Sequence, residues 1–423
     1  MGKADDSGQI ITIDSGEYVE SAEIAKSLAQ RKSQAKRIYL DHNATTYLDP
    51  EVRAVISEYM KKYFGNPSSI YREGKDARAM LNAARRSLAQ LLNCTAKRIV
   101  FTGGGSEANN LAIKGVAFAN WNGKNNIITS TIEHPSVLEV CRWLEEFGVH
   151  ITYLGDDHSG RVKPSDLKAS ITPETSLVSI MMANNETGSI QPIAELAAIA
   201  KENGVLFHTD AIQAIGKIPV DVEALNIDLL TISGHKIYGP KGVGALLIRK
   251  GVELHPLIHG GKRESGRRAG TENLINIIGS GKTAEPATQH LTGMEKVRML
   301  RNRLESGIKR LVPEAKLNGH KTERLPNTVN ITLPGIRGES LVLAPDQRGV
   351  SISSGSACRS GSPEPSHALP AMSLSEKDAH CAIRISPGLR NTEDEIDLTP
   401  SLLEEIIKDN KTGVRFTPCC QFI

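Results

Sequence analysis

The chain has 423 residues, 39% hydrophobic and 23% charged, which fits one large or two ordinary folded domains and excludes wholesale disorder. Its 51 basic and 48 acidic residues leave a net charge of +3, and aromatics make up only 4%. Nucleic acid, an anionic membrane and an aromatic stacking surface are therefore not the expected partners.

Residues 1–36 carry scattered acids such as Asp5, Asp14 and Glu23. They lack the apolar core of a secretory signal and are too acidic for a transit peptide. They read as an extension with one helix around Glu20–Gln30. From Ile38 the chain alternates short apolar runs with helical patterns. Strands are expected at Ile99–Thr102, Asn126–Thr129, His150–Leu154, Leu177–Met182, Val205–Asp210, Leu229–Ser233 and Val243–Ile248. Helices are expected at Gly74–Leu92, Glu107–Asn120, Val137–Phe147 and Ile193–Asn203. Strands rich in Val, Ile and Leu between helices predict an α/β fold with a mostly parallel, seven-stranded sheet.

A polar helix pattern, Gly293–Leu311, leads into short strands at Asn327–Leu333, Val350–Ser353 and Ala382–Ser386, with helices at Glu339–Gln347 and Glu393–Lys408. This predicts a large domain over 37–290 and a smaller α+β domain over 291–423. Within the latter, the Ser-, Pro- and Gly-rich stretch 354–373 reads as a mobile loop. No stretch reaches the roughly 20 apolar residues of a bilayer span. The six cysteines form no CxxC pair, which points to a reducing cytoplasm rather than a disulfide framework.

In an open parallel sheet, ligands bind at the carboxyl ends of the strands, and candidate features follow several strands here. Thr102-Gly-Gly-Gly-Ser-Glu-Ala-Asn-Asn110 opens a helix after the first strand. Its glycines allow close backbone approach and the helix start offers unpaired N–H groups, the form of a phosphate cradle. A plain glycine turn with Ser106 as helix cap is the competing reading. Asp210 ends the apolar run Val205–Phe207, where a carboxylate needs a partner such as a cationic ring nitrogen; a helix cap is the alternative. Lys236 lies in the Gly-flanked turn Ser233–Gly242, suited to a Schiff-base amine rather than an ordinary surface charge. Cys358 sits in the small-residue loop Ser353–Ser362 and reads as a reactive thiol rather than an incidental one. Cys94 and Cys141 sit in apolar runs and read as core, Cys381 as structural, and Cys419–Cys420 as a tail pair. Cradle, carboxylate and lysine are together what pyridoxal phosphate requires.

With these features stand Tyr39-Leu-Asp-His-Asn-Ala-Thr-Thr46, Glu133-His-Pro135, Asn184-Asn-Glu-Thr-Gly188 and Arg268-Ala-Gly-Thr-Glu-Asn273. In this order, from about Ile38 to Leu403, the chain resembles a cysteine desulfurase of the NifS/IscS type, a fold-type-I pyridoxal phosphate enzyme of the class V aminotransferase group. The resemblance implies that Lys236 is the Schiff-base lysine and proton carrier, Asp210 the partner of the pyridinium nitrogen, and Gln213 that of the ring hydroxyl. It implies that His134 is a catalytic residue that stacks on the ring and assists proton transfer, and that Gly105, Ser106, Ser233 and His235 hold the phosphate, with Thr271 reaching it from the partner of a homodimer. Asn185 and Arg384 would bind L-cysteine, Arg384 at its carboxylate. Cys358 would take the sulfur as a persulfide for an acceptor protein such as an iron–sulfur scaffold, in the cytoplasm and with no metal in the site. A selenocysteine lyase or cystine C–S lyase on the same fold is the alternative, and a non-catalytic sulfur carrier or metal-binding module the distant one. Departures from the pattern are Ser106 for Thr, His42 for Asn or Tyr, Ser373 for Gly, Pro387 within Arg-x-Ser-x-Gly, and Pro345, expected to kink or shorten its helix.

Overall fold

The computed structural model describes residues 37–121, 123–285, 287–354 and 366–411, and the fold below belongs to the unit that begins at Tyr39. Seven strands make the main sheet: β1 (Ile99–Thr102), β2 (Asn126–Ser130), β3 (His150–Leu154), β4 (Thr175–Ser179), β5 (Leu206–Asp210), β6 (Leu229–Ser233) and β7 (Gly244–Ile248). Their order is β1-β7-β6-β5-β4-β2-β3. Every neighbouring pair is parallel except the two made by β7, which runs against both β1 and β6.

The strands are apolar on both faces because both are covered. Successive residues alternate between two cores: Ile128, Val178, Leu230 and Leu247 on one side, Ile127, Leu177, Leu229 and Leu246 on the other. Helices α1 (Pro50–Lys62), α2 (Arg72–Leu91) and α3 (Gly105–Ala119) precede and follow β1, and α4 (Pro135–Glu145) follows β2. Leu81 and Leu88 of α2 join the first core, and Leu111 and Val116 of α3 the second. Each fully buried side chain of this size contributes about 1.5–3 kcal/mol.

The helix α1 was not among the sequence expectations, although its signals are present. Asp49 accepts the Glu51 N–H at 2.8 Å, Pro50 holds the first position, and Lys61 and Lys62 close the last turn. The helix α5 (Leu274–Ala284) also escapes the sequence pattern, because Gly279 and Gly281 interrupt it. Packing explains them: a Cβ on Gly281 would stand 2.4 Å from the Ala84 Cα of α2.

The expected strand Leu177–Met182 ends three residues early, at Ser179. Beyond it the Met181 N–H turns to the Glu133 carboxylate, at 2.8 Å, instead of continuing along β2. The C-terminal part carries a three-stranded antiparallel sheet of β8 (Lys316–Asn318), β9 (Val329–Thr332) and β10 (Ala382–Ile385), with β9 in the middle. The last part of the expected loop is ordered instead. Residues 366–373 include a short helix, Ala368–Ala371; its Leu369 and the Met372 that caps it pack on Ile132 and Met181. The helix with Pro345 runs over Gly338–Gln347 and is not shortened, since Pro345 lies in its last turn. Ser373 takes φ +67°, the left-handed conformation that suits glycine. Among the described residues, no helix is long and apolar enough to cross a membrane and no group of three or more His, Cys, Asp or Glu is arranged for a metal.

Candidate active site

Five parallel strands point their carboxyl ends to one edge of the sheet, and each delivers a side chain there. After β1 come Gly105 and Ser106, after β2 His134, after β4 Asn185, at the end of β5 Asp210, and after β6 His235 and Lys236. They surround a cavity of about 180 Å³ that Asn43, Ser136, Gln213, Ser233 and Arg384 also line. Ten residues singled out in the sequence thus share one cavity. Thr271 is exposed in the single chain and does not line it, and Cys358, Cys419 and Cys420 lie outside the described residues.

At one end, Gly105 and Ser106 open α3, whose first N–H groups have no partner within the helix, and line the cavity with Ser233 and His235. The cap of α3 is Gly104 rather than Ser106, so the Ser106 hydroxyl is not spent on capping. A Cβ on Gly105 would stand 2.2 Å from Ile212 Cδ1, so the cavity wall closes only over a glycine there. Glu107 accepts from the Gly103 N–H at 2.7 Å and from Arg268 Nε at 2.8 Å, tying this turn to the segment that carries Thr271. His235 shares a hydrogen bond with the Thr45 hydroxyl, and burial, followed by Lys236 and Lys241, lowers its pKa to about 4. A neutral donor set at a helix start suits a phosphate.

At the other end stands the buried Asp210. Its Oδ2 accepts from Asn109 at 2.8 Å and its Oδ1 from the Ile212 N–H at 2.9 Å. The carboxylate therefore caps its own turn, as the alternative reading has it, and also lines the cavity. Its partners here are neutral, and a buried carboxylate held by neutral donors favours a cationic guest. A phosphate cradle at one end and an anion at the other fit pyridoxal phosphate.

Lys236 Nζ donates to the carbonyls of Asn43 and Ala44, at 2.6 and 2.7 Å. His134 caps α4 and accepts the Ser136 N–H through Nδ1, which puts the proton of its neutral ring on Nε2. Burial is the main cause of its lowered pKa, against the pull of Asp210. Beneath it, Glu133 is fully buried, and its Oε1 accepts from Ser130 Oγ and the Met181 N–H. Burial pushes its pKa up to about 8. The proton then belongs on Oε2, the oxygen with no acceptor duty. His367, on the ordered stretch before the Ala368–Ala371 helix, donates to the Glu133 carbonyl at 2.8 Å.

Arg384 enters from β10 of the other sheet. It is 1% exposed and donates to Asp41 Oδ1 at 2.7 Å and to the Asn185 carbonyl at 3.0 Å. His42, the departure from the common pattern, is neutral: burial lowers its pKa to about 4, and Nδ1 donates to the Ser386 carbonyl. Its ring fills the space beside Gly388, where a Cβ would stand 2.4 Å away. Pro387 therefore leaves the neighbouring glycine in its packing role.

Several residues of the site had no role assigned from the sequence. Asn109 falls one turn into α3 and aims Asp210, and Asn43 is the acceptor for both Lys236 and Gln213. Lys217 follows Gln213 by four positions in the apolar run Ala211–Ile218. A lone cation there is the signal that could have marked it. Cys141 and Cys381 are buried and Cys94 half-buried, with burial raising the Cys94 thiol to about 11, so these three are packing residues, as expected.

The chain matches the aminotransferase class-V family over residues 38–399. It is 48% identical to the cysteine desulfurase IscS of Methanosarcina thermophila, over 91% of this chain and 96% of that protein. The cysteine desulfurase IscS of Dictyoglomus turgidum is 47% identical over 89% of this chain and 96% of its own length. Among solved structures, a NifS-like protein superposes with a TM-score of 0.83 at 38% identity, covering 88% of this chain and 99% of that one. SspA in complex with cysteine superposes with a TM-score of 0.74 at 36% identity, covering 84% and 100%.

Proposed function

The chain belongs to the aminotransferase class-V family, among its cysteine desulfurases, and from that premise we propose that it holds pyridoxal 5′-phosphate beside Lys236 and passes the sulfur of L-cysteine to Cys358. The observation that carries this is the meeting of Lys236, Asp210, the Ser106–Ser233–His235 donors and Arg384 around one cavity.

In this proposal the α3 start, Gly105, Ser106, Ser233 and His235 hold the phosphate, and Asp210 pairs with the ring nitrogen. Gln213 bonds the ring hydroxyl and His134 contacts the ring. The cofactor supplies an electron sink for the pair left when a bond to the α-carbon breaks. Arg384 binds the substrate carboxylate with a guanidinium already fixed by Asp41 and the Asn185 carbonyl, so little rotamer entropy is lost on binding. Lys236 moves the proton at the substrate Cα, its amine steered by the Asn43 and Ala44 carbonyls. The Cys358 thiolate attacks the substrate sulfur: an S–S bond forms as the C–S bond breaks. L-cysteine and the Cys358 thiol become L-alanine and the Cys358 persulfide, with atoms balanced.

The protein works as a homodimer in which the partner subunit's Thr271 completes the phosphate site. The main sheet belongs to a large domain of 37–290, and Cys358 to a small domain of 291–423. The sulfur goes to an acceptor protein, such as an iron–sulfur scaffold, in the cytoplasm. Persulfide trapping after incubation with pyridoxal phosphate and cysteine, mapped by peptide mass, tests the proposal. The label is expected on Cys358, with sulfur transfer lost in Cys358→Ala. Undiminished transfer by that variant overturns it.

A further inference from the structure

Lys217 is 6% exposed and ends the turn that follows β5. Its Nζ donates to Gln213 Oε1 at 2.7 Å and to Asn43 Oδ1 at 3.0 Å. Burial, followed by the charges of Lys236 and Arg384, lowers its pKa well below the ordinary lysine range. A buried amine at this cost needs a reason, and the proposed chemistry gives it none, since Lys217 does not line the cavity.

The reason lies in what a lysine can offer. It presents N–H donors, so the end of an amide that faces it must be the oxygen. A side-chain amide is nearly symmetric in shape, and only its partners decide which end points where. With Oε1 held by Lys217, Gln213 must present Nε2 on its other side, where one N–H goes to the Asn43 carbonyl at 2.9 Å and the second remains for the cavity. Asn43 is fixed in the same way. Its Oδ1 takes Lys217 and Asn327, so its Nδ2 reaches the Asn185 carbonyl at 3.2 Å, the same oxygen that Arg384 donates to. Two acceptors occupy two N–H bonds, so the arrangement holds whether the group is an ammonium or a neutral amine.

We propose that Lys217 is a positioning residue: it sets the Gln213 and Asn43 amides so that Gln213 meets the cofactor ring as a hydrogen-bond donor and Asn43 braces the Asn185–Arg384 side. The inference rests on the proposed pyridoxal phosphate site. It concerns only how this chain's own residues are oriented toward it.

The test measures the dissociation constant of pyridoxal phosphate and the position of the visible absorbance band for wild type, Lys217→Met, Lys217→Gln, Gln213→Ala and the Lys217→Met/Gln213→Ala double variant. Methionine keeps the stem and removes the donors; it is expected to weaken cofactor binding about tenfold and shift the band. Glutamine returns two N–H donors and should recover part of the loss. In the Gln213→Ala background the methionine change should add less than about twofold, because a residue that acts through Gln213 has nothing left to orient. Binding and band unchanged in Lys217→Met, or losses that multiply in the double variant, overturn the inference. So does failure of both single Lys217 variants to fold, which assigns the residue to the core alone. Absence of cofactor binding in the wild type instead overturns the proposed site itself.

Discussion

The Asn109 amide on α3 donates to Asp210 Oδ2 at the end of β5, at 2.8 Å, and also to the Ser136 hydroxyl beside His134, at 2.9 Å. One fully buried side chain thus aims the carboxylate and joins it to the histidine cap. Replacing Asn109 by Leu removes the donor and leaves Asp210 Oδ2 unpaired. We expect kcat/KM for cysteine to fall roughly tenfold to a hundredfold, with a stability loss of about 1–3 kcal/mol. Steady-state kinetics and urea unfolding read the two effects. Kinetics at the wild-type level would remove Asn109 from this role.

Lys236 faces the carbonyl oxygens of Asn43 and Ala44 and lines the cavity, whereas Lys241 of the same turn does not. Lys236→Ala should lower turnover by on the order of a thousandfold or more and abolish the visible absorbance band of the bound cofactor. Lys236→Arg should not rescue either, because a guanidinium does not give up its proton. A spectrum and a single-turnover assay on the same sample check both.

Arg384 is held by Asp41 and the Asn185 carbonyl, which leaves its guanidinium in one place. Lysine at this position keeps charge but loses the fork. The expected result for Arg384→Lys is a rise in KM for cysteine of about tenfold to a hundredfold, the worth of one charge-assisted hydrogen bond. A change confined to kcat would contradict a carboxylate-binding role.

Glu133 gives the fold a pH dependence of definite sign. Its pKa rises from 4.5 in the unfolded chain to about 8 in the folded one, so the folded state binds a proton that the unfolded state releases. The stability this contributes is complete below about pH 4.5 and is lost as pH rises through about 8. Glu133→Gln lacks the ionisation. Its stability relative to wild type should therefore climb between those limits by up to about 1.4 kcal/mol per pH unit. His208, buried with its pKa lowered to about 3, acts on the acid side: the stability it contributes is present above pH 6.5 and falls away as pH drops towards 3. Denaturant unfolding of wild type and Glu133→Gln across this range checks the slope; parallel curves would contradict a neutral Glu133.

Ser373 holds φ +67°, a conformation a side chain adopts at a cost. Ser373→Gly should raise stability by about 0.5–1 kcal/mol, the relief of strain outweighing the entropy gained by the unfolded chain. Urea midpoints decide it, and a lower midpoint would show that the serine is not strained.

The elements of the main sheet were legible where apolar runs met turn residues. Strands Ile99–Thr102, His150–Leu154 and Leu229–Ser233 fall at the residues expected. The end of β4 was not, because the partner that ends it, Glu133, is 48 positions away in the chain. The helix Leu274–Ala284 was hidden for a similar reason. Its glycines make a poor helix pattern and a good contact with Ala84, and only the second fact decides.

Sequence alone determined which residue types meet at the strand ends. The glycine turn, Asp210, Lys236 and Arg384 stand in motifs whose local chemistry is self-contained, and they meet around one cavity. Tertiary structure decided how those residues are held. Asn43 and Asn109 stand within the Tyr39–Thr46 and Thr102–Asn110 motifs and Lys217 shows only as a lone cation in an apolar run, but the partners they support lie 101 or 174 positions away and cannot be read locally. Whether a buried amide or amine is a support or a liability depends on the atom it meets, and only folding brings that atom within reach.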